Sequence, residues 1–156
     1  MTASASPATS ATSRRATVTW EGSLATGSGT VSASTSGVFG DLPVSWPSRI
    51  GEADGRTSPE ELLAAAHAAC FAMAFASRLT KAGSPPERLE VTATVSLEER
   101  DGARRVGSSA LEARVRAPGV DENTIRELAD DAKAKCPISQ ALTGNVELSV
   151  AVSVEV

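Results

Sequence analysis

The stretch from Leu62 to Ser77 contains no formally charged residue, and wound as a helix it is apolar on every side. Its boundaries are written as clearly as its interior. Ser58-Pro59-Glu60-Glu61 supplies an N-cap serine, a proline at the first helical position and a glutamate at the third, the pattern of a capping box. Arg78 and Lys81 complement the dipole of the last turn, and Gly83 follows as the exit. The uncharged run is shorter than the roughly 20 residues of a membrane span, is mostly alanine and contains His67. A helix that is apolar all round must be covered all round. In a chain of 156 residues one sheet covers one side, so the sequence predicts that a second copy covers the rest. Alanines at 64, 65, 66, 68 and 69 would let another backbone approach closely. The expected assembly is an obligate dimer.

Around that helix the pattern is one of half-buried strands. Ala16–Trp20 and Gly29–Ala33 are β-rich with glycine punctuation between them. Residues 35–57, with Pro43, Pro47, Gly51 and Gly55, read as loop with one short strand around Leu42 to Trp46. Leu89, Val91, Ala93, Val95 and Leu97 alternate with polar residues, as do Leu111, Ala113, Val115 and Ala117, and again the even positions from Val146 to Val156. One buried and one wet face predicts antiparallel sheet. A second helix is expected from Glu122 to Lys135, capped by Asp121, with an apolar stripe of Ile125, Leu128, Ala129, Ala132 and Cys136. Pro137 should break or kink it, with a short helix continuing to Leu142 before Gly144. The fold class is α+β: antiparallel sheets packed on a long central buried helix, in one domain over 16–156 behind a disordered N-terminal tail over 1–15. That tail is rich in Ser, Thr and Ala and is followed by no apolar segment of the secretory kind, so the expected location is cytoplasmic.

Composition narrows the function. A net charge of −4 gives no electrostatic reason to bind nucleic acid or an acidic membrane. The aromatics are three Phe and two Trp with no Tyr, too few for a base-stacking platform. Two cysteines cannot form a disulfide scaffold. Cys70 lies mid-helix and Cys136 ends the second stripe, and each could serve simply as a small core hydrophobe. Alternatively they form a redox couple, with Cys136 at the N-cap of the segment opened by Pro137, where a thiolate is favoured. Spacing alone leaves that choice open. A zinc site of Cys70, Cys136 and His67 would lack a fourth ligand and any Cys-x-x-Cys spacing, so no metal or cofactor is expected. His67, three residues before Cys70, reads as a packed or hydrogen-bonded interface histidine. The charges around Glu98–Arg105 read as a solvated hairpin.

Two long motifs carry a resemblance. Ser58-Pro59-Glu60-Glu61-Leu62-Leu63-Ala64-Ala65-Ala66-His67-Ala68-Ala69-Cys70-Phe71 resembles the thiol-helix signature of the OsmC/Ohr family, the osmotically inducible and organic hydroperoxide resistance proteins. Ala132-Lys133-Ala134-Lys135-Cys136-Pro137-Ile138-Ser139-Gln140-Ala141-Leu142 is similar to the family's second cysteine motif. Trp20-Glu21-Gly22, Gly29-Thr30-Val31-Ser32 and Pro118-Gly119-Val120-Asp121 match in order, so the resemblance spans about residues 16–156. His67 before Ala68-Ala69-Cys70, and Cys136-Pro137-Ile138-Ser139-Gln140, favour the OsmC branch.

The resemblance implies an intertwined homodimer acting as a thiol peroxidase on organic hydroperoxides and hydrogen peroxide. It assigns Cys70 as the peroxidatic cysteine, Cys136 as the resolving one, and Glu60 as the functional carboxylate. The family's arginine matches Arg49 by its place in Ser48-Arg49-Ile50-Gly51. Because Leu42–Pro47 departs from the usual pattern and the loop is one residue longer, Arg56 competes for the role. A thiolate on an apolar helix needs a cation, and a guanidinium stays charged even in a dry pocket. Glu60 would orient that cation. Ten residues of continuous helix place Glu60 about 15 Å from Cys70 along the axis, so Glu60 is expected to serve the other chain's thiol. An external dithiol, in the family a lipoylated protein, would reset the disulfide. The rival reading is a non-catalytic dimeric module that binds a ligand and keeps its cysteines inert.

Overall fold

The computed structural model describes residues 10–156. Of the expected tail, residues 1–9 lie outside the described residues, and 10–15 are exposed without helix or strand. Arg15 is already anchored: its N–H donates to Thr35 Oγ1 at 2.6 Å, and its carbonyl accepts from the Ser34 and Thr35 amides. The chain forms two compact units that meet in sequence at Ser58/Pro59.

The N-terminal unit is a three-stranded antiparallel sheet in the order β1 (Thr17–Glu21), β2 (Ser28–Ser32), β3 (Leu42–Val44). Glycine is needed at position 29, opposite Trp20. A Cβ there would lie 2.8 Å from the Trp20 ring and 2.9 Å from the Thr19 carbonyl oxygen. The expected short strand is β3, and it ends earlier than the sequence suggests. Ser45 caps a helix, α1 (Trp46–Ile50), its hydroxyl accepting from the Ser48 amide at 3.3 Å. Pro47 in the first turn, counted as a loop signal, is here a helix starter.

The C-terminal unit is built on α2 (Pro59–Lys81), an unbroken helix of 23 residues. It starts at the expected proline and ends in a Schellman motif. Gly83, at φ +90°, donates to the Thr80 carbonyl, and the Ser84 amide donates to Leu79. By length and composition α2 could cross a bilayer. Here it lies on its own sheet through His67, Phe71, Phe75 and Leu79, all fully buried, a stripe at four-residue spacing. Each buried Phe or Leu contributes about 1.5–3 kcal/mol relative to exposure. The opposite side, including Ala65, Ala66, Ala69 and Met73, is exposed.

The sheet has the order β4 (Arg88–Arg100), β5 (Ala103–Arg116), β6 (Glu147–Val154). Strands β4 and β5 form a long antiparallel hairpin whose turn, Asp101-Gly102, has two positive φ values of 53° and 75°. The charged residues expected around a hairpin sit at this tip. Strand β6, however, runs parallel to β5, with Val115 beside Val154 and Leu111 beside Val150. Alternation reports which face is buried and not strand direction. The link from β5 to β6 passes through α3 (Glu122–Lys135) and α4 (Pro137–Leu142), the long crossover that a parallel pair requires.

Helix α3 has the boundaries its sequence predicts. Asp121 accepts from the Thr124 amide at 3.0 Å, and Ile125, Ala129 and Ala132 are buried. The core joins α2, α3 and the odd-numbered side chains of β5, with Phe71 and Phe75 rings 5.5 Å apart. The other sheet face carries Thr92, Thr94, Glu112, Arg114 and Ser149 toward solvent.

Candidate active site

Both cysteines are free and belong to the core cluster of the C-terminal unit: Cys136 is fully buried and Cys70 half-buried against it. The i, i+4 stripe of α2 turns His67, Phe71 and Phe75 into the core, and Cys70 lies beside Phe71 on its flank. Pro137 stops α3, and Cys136 becomes its last cap and the residue from which α4 starts. The crossover thereby delivers the second sulfur to the first. The two thiols are neighbours and interact directly.

Their environments differ. The Cys136 side chain makes no formal capping hydrogen bond. Burial works against its anion, yet Cys70, the Ser139 amide and hydroxyl and the Ile138 amide surround its sulfur and together hold its pKa below the ordinary thiol value. Cys70 is pushed above that value, first by burial, then by its bond to Cys136 and the charge that forms there.

Behind the thiols lies a polar thread that the sequence does not reveal. His67 is fully buried, with Nδ1 2.6 Å from Ser109 Oγ and Nε2 2.8 Å from Ser139 Oγ. Both serines are buried as well. The histidine expected at an interface thus finds its hydrogen-bond partners inside its own chain. Burial pushes its imidazole below the ordinary pKa of 6.5, so it is neutral at physiological pH. The available signal was Ser109, a polar residue in phase with the core positions 111, 113 and 115 of β5.

Glu60 sits in the first turn of α2, 8% exposed, on the same continuous helix as Cys70. The helix is unbroken between them, as the spacing argument assumed. Arg49 lies on α1 with its guanidinium carbon 6.0 Å from the centre of the Trp46 ring. Arg56 is exposed and paired with Asp54 at 3.1 Å. Among the described residues no cluster of three or more His, Cys, Asp or Glu is arranged to hold a metal ion.

The family model for OsmC-like protein matches residues 51–151. The chain is 42% identical over 129 residues to peroxiredoxin OsmC of Escherichia coli K12, covering 83% of this chain and 89% of that protein. It is 32% identical over 114 residues to an organic hydroperoxide resistance protein of Xanthomonas axonopodis pv. citri, covering 70% and 77%. Among solved structures, an organic hydroperoxide resistance protein from Elizabethkingia anophelis superposes with a TM-score of 0.72 at 26% identity, over 95% of this chain and all of that one. OhrB of Bacillus subtilis gives 0.67 at 29% identity, over 89% and 98%. The chain belongs to the OsmC-like family, and its α+β fold is that family's fold. The relative of 42% identity places it nearer the OsmC branch, as the motifs around His67 and Cys136 indicate.

Proposed function

We propose that this protein is a cysteine-based peroxidase that reduces organic hydroperoxides, and hydrogen peroxide, through its two cysteines. The observation that carries the reading is the meeting of Cys70 and Cys136, remote in sequence, as adjacent reduced thiols in one unit. The curated relatives named peroxiredoxin and organic hydroperoxide resistance protein support it.

In the first step the Cys70 thiolate attacks the distal peroxide oxygen. The O–O bond breaks, the sulfur becomes a sulfenic acid, and the departing alkoxide takes a proton and leaves as alcohol. In the second, Cys136 attacks the oxidised sulfur, forming the disulfide and releasing water. An external dithiol then reduces the disulfide by exchange and leaves as its own disulfide. A lipoylated protein fits that role by family resemblance. Because Cys70 is pushed up within its own unit, its ionisation calls for a cation. Arg49 is the residue assigned to supply it, and Glu60 to orient the arginine. Arg56, paired with Asp54, is the rival.

The working form is a homodimer. The exposed Ala65, Ala66, Ala69 and Met73 side of α2 supports this, as do Val18, Trp20 and Leu24 exposed in the N-terminal unit. In that dimer Glu60 serves Cys70 of the partner subunit, since an unbroken helix separates it from its own. Residues 16–156 act as one OsmC-like domain, in the cytoplasm.

Turnover of cumyl, fatty-acid and hydrogen peroxides with a dithiol reductant tests the reading. Cys70→Ser should abolish turnover. Arg49→Ala should slow peroxide reduction by about 10²–10³-fold with the dimer intact. Full turnover by Cys70→Ser would overturn the function, and loss of activity in Arg56→Ala instead would move the cation.

A further inference from the structure

The two sulfurs differ most in what can reach them. Cys136 has no exposed surface, and its own chain alone supplies that cover. It stands at the junction of α3 and α4, where its N–H donates to the Ala132 carbonyl at 2.8 Å and its carbonyl accepts from the Gln140 amide at 2.9 Å. Helix α4 is in turn tied to α2 through Ser139 Oγ and His67 Nε2, 2.8 Å apart. Bringing Cys136 to the surface would unseat α4 from this junction. Cys70, on the flank of α2, keeps part of its surface open. A second copy packed on this chain adds cover and removes none, so no assembly of the folded chain exposes Cys136. Reaction with a peroxide needs a path to the Cys70 sulfur, and that path stops there.

We propose that reduction of the disulfide begins at one sulfur only: the reductant bonds to Cys70, and Cys136 is always the leaving group. The inference rests on the reading of the two cysteines as a redox couple. Which sulfur of a disulfide is attacked depends on access as well as on the attacking thiol. In the first exchange a reductant thiolate bonds to the Cys70 sulfur, the Cys70–Cys136 bond breaks, and its electron pair leaves on Cys136. Cys136 takes the proton that the reductant's second thiol gives up. That second sulfur then attacks the reductant's first sulfur, expels Cys70 as a thiolate and closes the reductant's own disulfide. Two electrons pass from reductant to protein. The charge ends on the sulfur that meets the next peroxide.

The buried leaving group also selects the partner. Cys136 stays beside the mixed disulfide and attacks it again, with the advantage of a reaction between groups already in place. A monothiol is expelled in this way unless a second molecule arrives first. A dithiol that closes a small ring competes on equal terms, because its second sulfur is as near as Cys136. The geometry therefore calls for a dithiol slender enough to present both sulfurs at Cys70 along the flank of α2.

The test uses the full chain oxidised with diamide, so that no peroxide enters. Brief exposure to excess 2-mercaptoethanol is followed by an acid quench, alkylation with N-ethylmaleimide in mildly acidic denaturant, and peptide mapping. In singly modified chains the mercaptoethanol should sit on Cys70 and the maleimide on Cys136. Access is checked on reduced variants: folded Cys70→Ala should react with N-ethylmaleimide about 10²-fold or more slowly than folded Cys136→Ala, because its remaining thiol waits on local opening. Should either variant fail to fold, the wild-type map decides alone. An adduct on Cys136, adducts divided between the two sulfurs, or a folded disulfide that no thiol opens would each overturn the proposal and leave the peroxidase reading standing. Inertness to peroxides, with the adduct still on Cys70, would sink that reading and spare this one. If diamide fails to join the two sulfurs, the couple falls and both go with it.

Discussion

The two units of this chain solve burial in opposite ways. The C-terminal unit closes its own core: Phe71, Phe75, Leu79, Leu111, Val115 and Ile125 are fully shielded by two helices on one sheet face. The N-terminal unit is a three-stranded sheet whose one buried apolar side chain among the described residues is Val31, while Val18, Trp20, Leu24 and Val38 face outward. A small sheet without a covered face is marginal by itself. Cys70 and Cys136 belong to the C-terminal unit, and Arg49 and Arg56 belong to the N-terminal one.

The largest effect should come from breaking the closed core. Phe71→Ala is expected to cost about 3–5 kcal/mol in urea unfolding, through lost burial and the cavity left behind. Val18→Ala, at 59% exposure, should change stability by no more than about 0.5 kcal/mol. A cost for Val18→Ala approaching that of Phe71→Ala would mean that another chain covers the N-terminal sheet, and it should then vary with protein concentration.

A smaller effect sharpens the same contrast through pH. The unfolded imidazole binds a proton near 6.5, while buried His67 resists it, so below that pH the unfolded chain holds more protons. Stability should fall as pH drops from about 6.5 toward the lower folded value, and level off below it. His67→Gln should lose that slope. The exposed carboxylates Asp121 and Asp131, held below 3.8 by Thr124 and Lys135, keep their contribution above that value and lose it only at more acidic pH. A slope in His67→Gln equal to that of the wild type would remove His67 as the cause.

Much of this architecture is legible in the residues. Helix α3 is readable to its ends because Asp121, Glu122, Lys133 and Lys135 mark both termini and the stripe from Ile125 to Ala132 marks its inner face. Helix α2 is readable because its caps and its uncharged interior agree. Three features escape for physical reasons. Pro43, Pro47 and Gly51 make residues 35–57 look like loop around one short strand, which hides the Ser45 cap that starts α1. The alternation of β6 is the same whether it runs parallel or antiparallel, so only the crossover through α3 and α4 decides its direction. The serines that hold His67 come from a strand and a short helix with no shared period, and only Ser109 breaks a pattern visibly. Of the candidate site, the cysteine pairing depends on a crossover that spacing does not encode. The motif resemblance was needed to choose between inert and redox-active sulfurs.

The central claim is that Cys70 and Cys136 of one chain form a single redox couple. Intact mass of the reduced protein after one equivalent of cumene hydroperoxide tests it most directly. The expected result is a loss of two hydrogens per chain, with a peptide map joining Cys70 to Cys136 and no such product in Cys70→Ser. An unchanged mass, or a disulfide linking any other pair, would contradict the account.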